Sequence, residues 1–319
     1  MTLAASPKIS VVICTYNRAD LLRSALETIC NQSLPNEFYE VIAVDNNSSD
    51  DTKAVVDGFL HHGNVRYLLE TKQGLANARN AGWQAADGAF VGFMDDDSKA
   101  PYEWLSVAAR IIEEGAFKVF GGPIRPFYSC EKPVWYKESY DLRDFGAADA
   151  PLVFKGKGYL SGGNIFISRQ LLSAVGGFNA DLGMIGGKLA YGEETDLQMR
   201  LRKMMPDIEM LCDRELYNYH LVRPEKLSLW WDVKEHFTGG RNSPALFYDP
   251  MSQESTVALL INLVKTVGEI SKSAVVPFLA RNKEDYPCWQ NYYKEITLKK
   301  FNRLGRLYWY IFNRKIDRK

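Results

Sequence analysis

Residues 93–101 read FMDDDSKAP, which puts three carboxylates in a row straight after the apolar run AFVGF at 89–93. Two unit charges about 4 Å apart repel by roughly 1 kcal/mol in water and about 4 kcal/mol at an effective dielectric of 20. Such crowding at the mouth of a buried strand needs an offset: solvent, a helix dipole or a bound cation. Mg2+ and Mn2+ take carboxylate oxygens, and Mg2+ is usually held by one or two of them together with substrate phosphates. Asp95, Asp96 and Asp97 therefore read as a divalent-cation site that also grips a phosphorylated ligand. The plainer alternative is a solvated turn with a helix cap at Asp97 or Ser98.

Three further clusters could join that chemistry. Glu193, Glu194 and Asp196 follow a glycine-rich stretch, GMIGGKLAYG, at 183–192. They either stabilise a helix N-terminus or supply a general base beneath a mobile loop that excludes water. Asp45 with Asn46 and Asn47 is either a turn or a set of acceptors for a base or ribose. Thr15, Tyr16, Asn17 and Arg18 offer an aromatic cover and a guanidinium for phosphate, or Tyr16 merely caps the core. His220 is a lone histidine among aromatics, either a satisfied interior group or a metal ligand.

Regular elements must hold these clusters together. Strand-like runs at 8–16, 39–45, 65–70 and 89–95 alternate with helical patterns at 18–32, 52–62, 74–86 and 101–114, with Pro101 in an allowed first-turn position. That alternation predicts βαβ units and a mostly parallel sheet. Ligands then sit beyond the carboxyl ends of the strands, where TYNR, DNNSSD and DDD all fall. Residues 126–158 read as irregular. A strand and helix follow at 162–178, a helix at 193–204 and short strands at 208–212 and 216–222. From about residue 225 the pattern is helical, including 255–276.

Composition narrows the class. The chain has 319 residues, with 39 Lys and Arg balanced by 39 Asp and Glu, so it is no polycation for nucleic acid. The balance is uneven: residues 299–319 carry eight basic side chains against Asp317, net +7, leaving −7 for residues 1–298. Five scattered cysteines without a CxxC pair argue against a disulfide scaffold or zinc site. A reducing cytoplasm fits them. No signal-peptide pattern and no 18-residue apolar run is present, so neither export nor a spanning helix is expected.

The fragments VVICTYNRADLLRSALETI, EVIAVDNNSSDDT, GLANARNAG, FMDDDS, GGNIFISR, GEETDLQMRL and HLVRPEKLS occur in this order. Together, over roughly residues 8–240, they resemble the family 2 glycosyltransferases of the GT-A fold. The resemblance implies an inverting, metal-dependent transfer of a sugar, with a UDP-sugar the expected donor, to a saccharide or lipid-linked acceptor in surface polysaccharide synthesis. It implies Mn2+ or Mg2+ held by Asp95, Asp97 and His220. It implies nucleotide-sugar contacts from Thr15, Tyr16, Asn17, Arg18, Asp45, Asn47, Arg79, Asp95 and Asp96. The second acid of GEETD, Glu194, matches the family's base, often Asp there; the longer side chain keeps Glu193 in contention.

The expected organisation is a GT-A domain at 1–240, its nucleotide half at 1–125 and acceptor half at 126–240, then a helical extension at 241–319. Its basic, aromatic end at 298–319 either packs on the domain or lies on an anionic membrane at the cytoplasmic face. Two rivals remain. A sugar nucleotidyltransferase, or equally a Rossmann dehydrogenase, needs a glycine-rich phosphate loop after the first strand, where TYNRAD has no glycine. A non-catalytic sugar-nucleotide sensor would bind donor without turnover.

Overall fold

Ile9–Thr15 (ISVVICT) forms the first strand, β1, almost wholly buried. A β-branched run buried on both faces is what a central strand of a parallel sheet requires. The computed structural model describes residues 9–145, 150–186, 188–247 and 249–313. After β1 come α1 (Ala19–Ile29), β2 (Tyr39–Asp45), α2 (Thr52–Asp57), β3 (Val65–Leu69), α3 (Leu75–Ala85) and β4 (Phe90–Asp95). Then follow β5 (Ser98–Lys99), α4 (Trp104–Glu114), β6 (Val119–Gly121), β7 (Ile124–Tyr128), β8 (Leu152–Lys155), β9 (Asn164–Ser168) and α5 (Arg169–Val175). The series continues with α6 (Glu193–Met204), β10 (Glu209–Cys212), β11 (Asn218–Val222), α7 (Leu229–Asn242), α8 (Thr256–Leu279), α9 (Trp289–Tyr292) and α10 (Leu298–Phe312).

Eight strands make one sheet in the order β3-β2-β1-β4-β9-β6-β10-β8, and β5-β11-β7 make a small second sheet. β3, β2, β1 and β4 are mutually parallel, while β9 runs antiparallel between β4 and β6. Leu22, Ala25, Leu26 and Ile29 of α1 and Trp104, Leu105, Ala108 and Ile112 of α4 pack on one face. α3 and α6 cover the other with Ala76, Ala78, Leu197 and Leu201.

The helix expected from residue 101 begins instead at Trp104, with Pro101 outside it. The chain first enters β5 to pair with β11, and a turn closes from the Trp104 amide to the Pro101 carbonyl. The helix expected over 52–62 stops at Asp57 and finishes in a short 3-10 turn at Leu60–His62. The supposedly irregular 126–158 contains β8 and the end of β7. Within the glycine-rich stretch expected to be mobile, the Met184 carbonyl accepts from the Leu75 amide at 2.8 Å.

The chain divides into two compact units: residues 1–127, 141–187 and 193–221, and residues 128–140, 188–192 and 222–319. The boundary expected at residue 240 would cut through α7, which groups with the C-terminal helices. The reason is a close helix crossing: a Cβ on Gly240 would stand 1.9 Å from the Asn302 carbonyl, and one on Gly305 2.1 Å from that of Phe237. α10 buries Leu298, Leu307 and Tyr310 within this unit. Residues 314–319 of the basic end lie outside the described residues.

Asn164, fully buried, ties the sheet to its surroundings. Its Oδ1 accepts from Trp104 Nε1 at 3.1 Å, and its Nδ2 donates to the carbonyls of Pro123 (3.2 Å) and Leu216 (2.7 Å). Asn164→Ala should strand several of these buried groups and lower the unfolding free energy by roughly 2–4 kcal/mol, read from urea denaturation.

Candidate active site

Strand register brings the clusters to one edge. Thr15 stands opposite Asp45 on β2, and Cys14 opposite Asp95 on β4. Because β9 is antiparallel, its beginning reaches the same edge, with Asn164 opposite Met94. There Gly163 packs on the acid: a Cβ at this position would lie 2.2 Å from Asp95 Oδ2. β11 runs beside β5 and sets His220 opposite Ser98, next to the end of the acidic run.

The three aspartates differ in exposure, and Asp96 and Asp97 share Arg18. Asp96 turns inward, only 4% exposed, and accepts from Thr15 Oγ1 at 2.8 Å and from Arg18 Nη1 at 3.0 Å. Burial pushes its carboxyl up to about 6; Arg18 pulls against this and the charge of Asp97 adds to it. Thr15 and Arg18, both expected to meet the nucleotide, thus spend polar atoms on fixing the acidic turn to β1. Asp97 Oδ1 is 3.2 Å from His220 Nε2, and Asp97 Oδ2 is 3.7 Å from Arg18. Asp95 is the most open of the three, one third exposed at its side chain.

Asp95, Asp97 and His220 each offer one ligand atom, and these lie within 4.8 Å of one another. Two carboxylates and an imidazole suit a divalent ion of the Mn2+ type, which accepts both oxygen and nitrogen donors. The residues therefore fit the cation that the sequence implied.

Arg79 links this cluster to α6. Its guanidinium is buried, 2.8 Å from Glu193 Oε1 and 3.5 Å from Asp95 Oδ1, and it stands over the Phe178 ring. Burial alone would lower its pKa, but Glu193 and Asp95 more than offset that and hold it charged. The two candidate bases separate here. Glu193 is 4% exposed and turned onto Arg79; Glu194 is half-buried, its Cβ 3.2 Å from the position a Cβ on Gly162 would take. Burial pushes Glu193 up to about 8, with the neighbouring Glu194 charge adding to it and Arg79 opposing it.

The nucleoside side is built around Asp45. Its Oδ1 accepts from the Ser48 amide and its Oδ2 from the Tyr67 hydroxyl, both at 2.8 Å. Asn47, expected to face the ligand, is exposed with φ +66. Asn46 is the buried member: it donates to the carbonyls of Glu70 and Lys72 and accepts from the Gly74 amide at 2.7 Å, anchoring the approach to α3. Asn17, with φ +51, accepts from the Ser49 amide at 2.7 Å. Tyr16 is half-buried beside it.

Sequence reasoning missed Gly163, Asn164 and Tyr67 as parts of this edge. GGN at 162–164 was a visible signal, since paired glycines before a strand mark a close backbone approach. Tyr67 carries none, because only strand pairing brings it to Asp45.

Glu193 yields a pH test. A carboxyl raised from 4.5 to about 8 on folding retains a proton that the unfolded chain has released, so its contribution to stability falls as pH rises across that interval. The wild-type melting temperature should decline from about pH 5 to about pH 8, and Glu193→Gln should flatten that decline while keeping an acceptor for Arg79. Parallel slopes in calorimetry would contradict the assignment.

The Glycosyl transferase family 2 model matches residues 10–176. A GalNAc(5)-diNAcBac-PP-undecaprenol beta-1,3-glucosyltransferase of Campylobacter jejuni is 40% identical over 118 residues, which cover 36% of this chain but only 38% of that protein. A glucosyl-dolichyl phosphate glucuronosyltransferase of Haloferax volcanii is 26% identical over 292 residues, covering 86% of this chain and 89% of the other. In structure, the mannosyltransferase PcManGT of Pyrobaculum calidifontis, solved with GDP-Man and Mn2+, aligns over 97% of this chain and 88% of its own at a TM-score of 0.61 and 18% identity, a likeness of fold. The mixed sheet and its helical layers are thus of the GT-A type. With the family match running through β1, the DDD turn and GGN, this chain belongs to glycosyl transferase family 2.

Proposed function

We propose that the chain is an inverting glycosyltransferase that moves a sugar from a nucleoside-diphosphate donor, a UDP-sugar in the first instance, to a saccharide or lipid-linked saccharide in surface glycan assembly. The observation that carries this reading is the junction of Asp95, Asp97 and His220 with the start of α6 through the buried Arg79. A nucleoside would lie along Tyr16, Asn17 and Asp45, its diphosphate toward the DDD turn. Asp95, Asp97 and His220 would hold Mn2+ or Mg2+, which when bound stabilises negative charge on a departing diphosphate.

The chain's own groups divide the remaining work. Glu194, the more open of the two glutamates, takes the acceptor hydroxyl proton as the acceptor oxygen bonds to the anomeric carbon. The bond from that carbon to the β-phosphate oxygen breaks in the same displacement, so an α-linked donor gives a β-linked product. Glu193, bonded to Arg79, holds the guanidinium beside Asp95 rather than meeting the acceptor. The lipid-linked substrates in the names of the Campylobacter and Haloferax relatives support an acceptor of that kind.

Glu194→Gln should lower turnover by about 10²–10⁴-fold while donor affinity, measured by calorimetry, stays within a fewfold of wild type; full turnover in this variant would exclude Glu194 as base. Dialysis against a chelator should abolish release of free nucleoside diphosphate, and added Mn2+ should restore it. Thermal-shift screening with UDP-, GDP- and dTDP-sugars identifies the donor, because a ligand that binds only the folded state raises its stability.

A further inference from the structure

α8 is built inside out. Its buried positions are Leu259, Thr266, Ser273 and Pro277, so hydroxyls occupy much of the seam. The Thr266 and Ser273 hydroxyls donate back to carbonyls of their own helix, Asn262 at 2.7 Å and Ile270 at 3.1 Å. The outward face carries the large apolar side chains: Val257 is 67% exposed, Val264 73%, Phe278 62% and Leu279 80%, with Leu260, Ile261, Val267 and Val275 also exposed. Steps of three and four residues align Val257 to Val267, and after two turns that carry Gly268 and Ser271 the same face resumes with Val275, Phe278 and Leu279. An apolar face of this extent marks a surface made to be covered.

Charge identifies the cover. The unit containing α8 has 20 Lys and Arg against 12 Asp and Glu, net +8, of which +7 belongs to residues 299–319. Lys265 and Lys272 flank the stripe, exposed and without an ion-pair partner among the described residues. Two copies joined through this face would bring like charges together, whereas an anionic bilayer attracts them. Lys265, Glu269 and Lys272 interrupt the apolar run, and no described helix is long and apolar enough to cross a membrane. We propose that the outer face of α8 seats this protein on an anionic lipid surface, the helix lying in the interfacial plane. The role falls to α8 rather than α10, whose Leu298, Leu307 and Tyr310 are already buried. The proposal draws on the lipid-linked acceptor only for its purpose, since lipid binding needs neither donor nor acceptor.

The test is flotation of the full chain with vesicles of phosphatidylcholine and phosphatidylglycerol, without donor or metal. The wild type should float with them and only weakly with pure phosphatidylcholine. Val264→Asp with Phe278→Asp should lower partitioning at least about tenfold, and Lys265→Glu with Lys272→Glu should do the same in a salt-sensitive way. The altered side chains are exposed, so thermal melting and turnover of a water-soluble acceptor should match wild type in both variants. A wild type that stays at the bottom of the gradient overturns the proposal, as does a Val264→Asp, Phe278→Asp variant that floats normally. A wild-type dimer that this variant dissociates, with vesicle binding unchanged, assigns the face to a second copy instead and equally overturns it.

Discussion

The buried guanidinium of Arg79 is the constraint on which the site depends. It stands between the end of β4 and the start of α6, within reach of Asp95 and Glu193 and over the ring of Phe178. Removing one partner of a buried ion pair leaves an uncompensated charge, which costs far more than the pair's net worth. The buried cation therefore rests on the charge of Asp95 and on the Glu193 oxygen that accepts its hydrogen bond, and the acids can crowd this edge only while the cation remains. Arg18 plays the equivalent part for Asp96 and Asp97 on the other side of the turn. The repulsion within DDD is thus relieved by two arginines from separate helical segments, leaving Asp95 the most solvent-accessible of the three.

The antiparallel insertion of β9 has a second consequence. In a purely parallel sheet the strand beside β4 would bring its carboxyl end to the ligand edge. Here the amino end arrives instead, so backbone without side chains, Gly162 and Gly163, lies against Arg79 and Asp95. Asn164 then fixes that backbone to α4 and to the segments before β7 and β11, and Asn218 donates to the Gly163 carbonyl at 2.7 Å. The polar edge is held by amide side chains whose hydrogen bonds are directional, a rigidity that an apolar contact at the same place would not supply.

The C-terminal unit follows different rules. Its helices cross at glycines, and Lys294 meets Asp232 at 2.6 Å in a buried pair walled by Tyr136 and Tyr140. Against that interior, the outward apolar stripe of α8 is the exception. The two observations belong together: a unit that spends polar groups on its own seams leaves apolar side chains on its surface.

Much of this molecule is written in local pattern. The β-branched runs of β1, β2 and β4 and the helical spacing between them determined a parallel α/β core, because period and burial are properties of neighbouring residues. The acidic turn, the GEETD acids and His220 were visible as clusters of residue type. Tertiary structure alone decided which member of each cluster faces inward: Asp96 rather than Asp95, Asn46 rather than Asn47, Glu193 rather than Glu194. It also decided that Pro101 precedes its helix and that α8, not the basic α10, turns its apolar side outward. Adjacent residues look alike in sequence, and only pairing register and the position of distant arginines and helices sets which of them is desolvated.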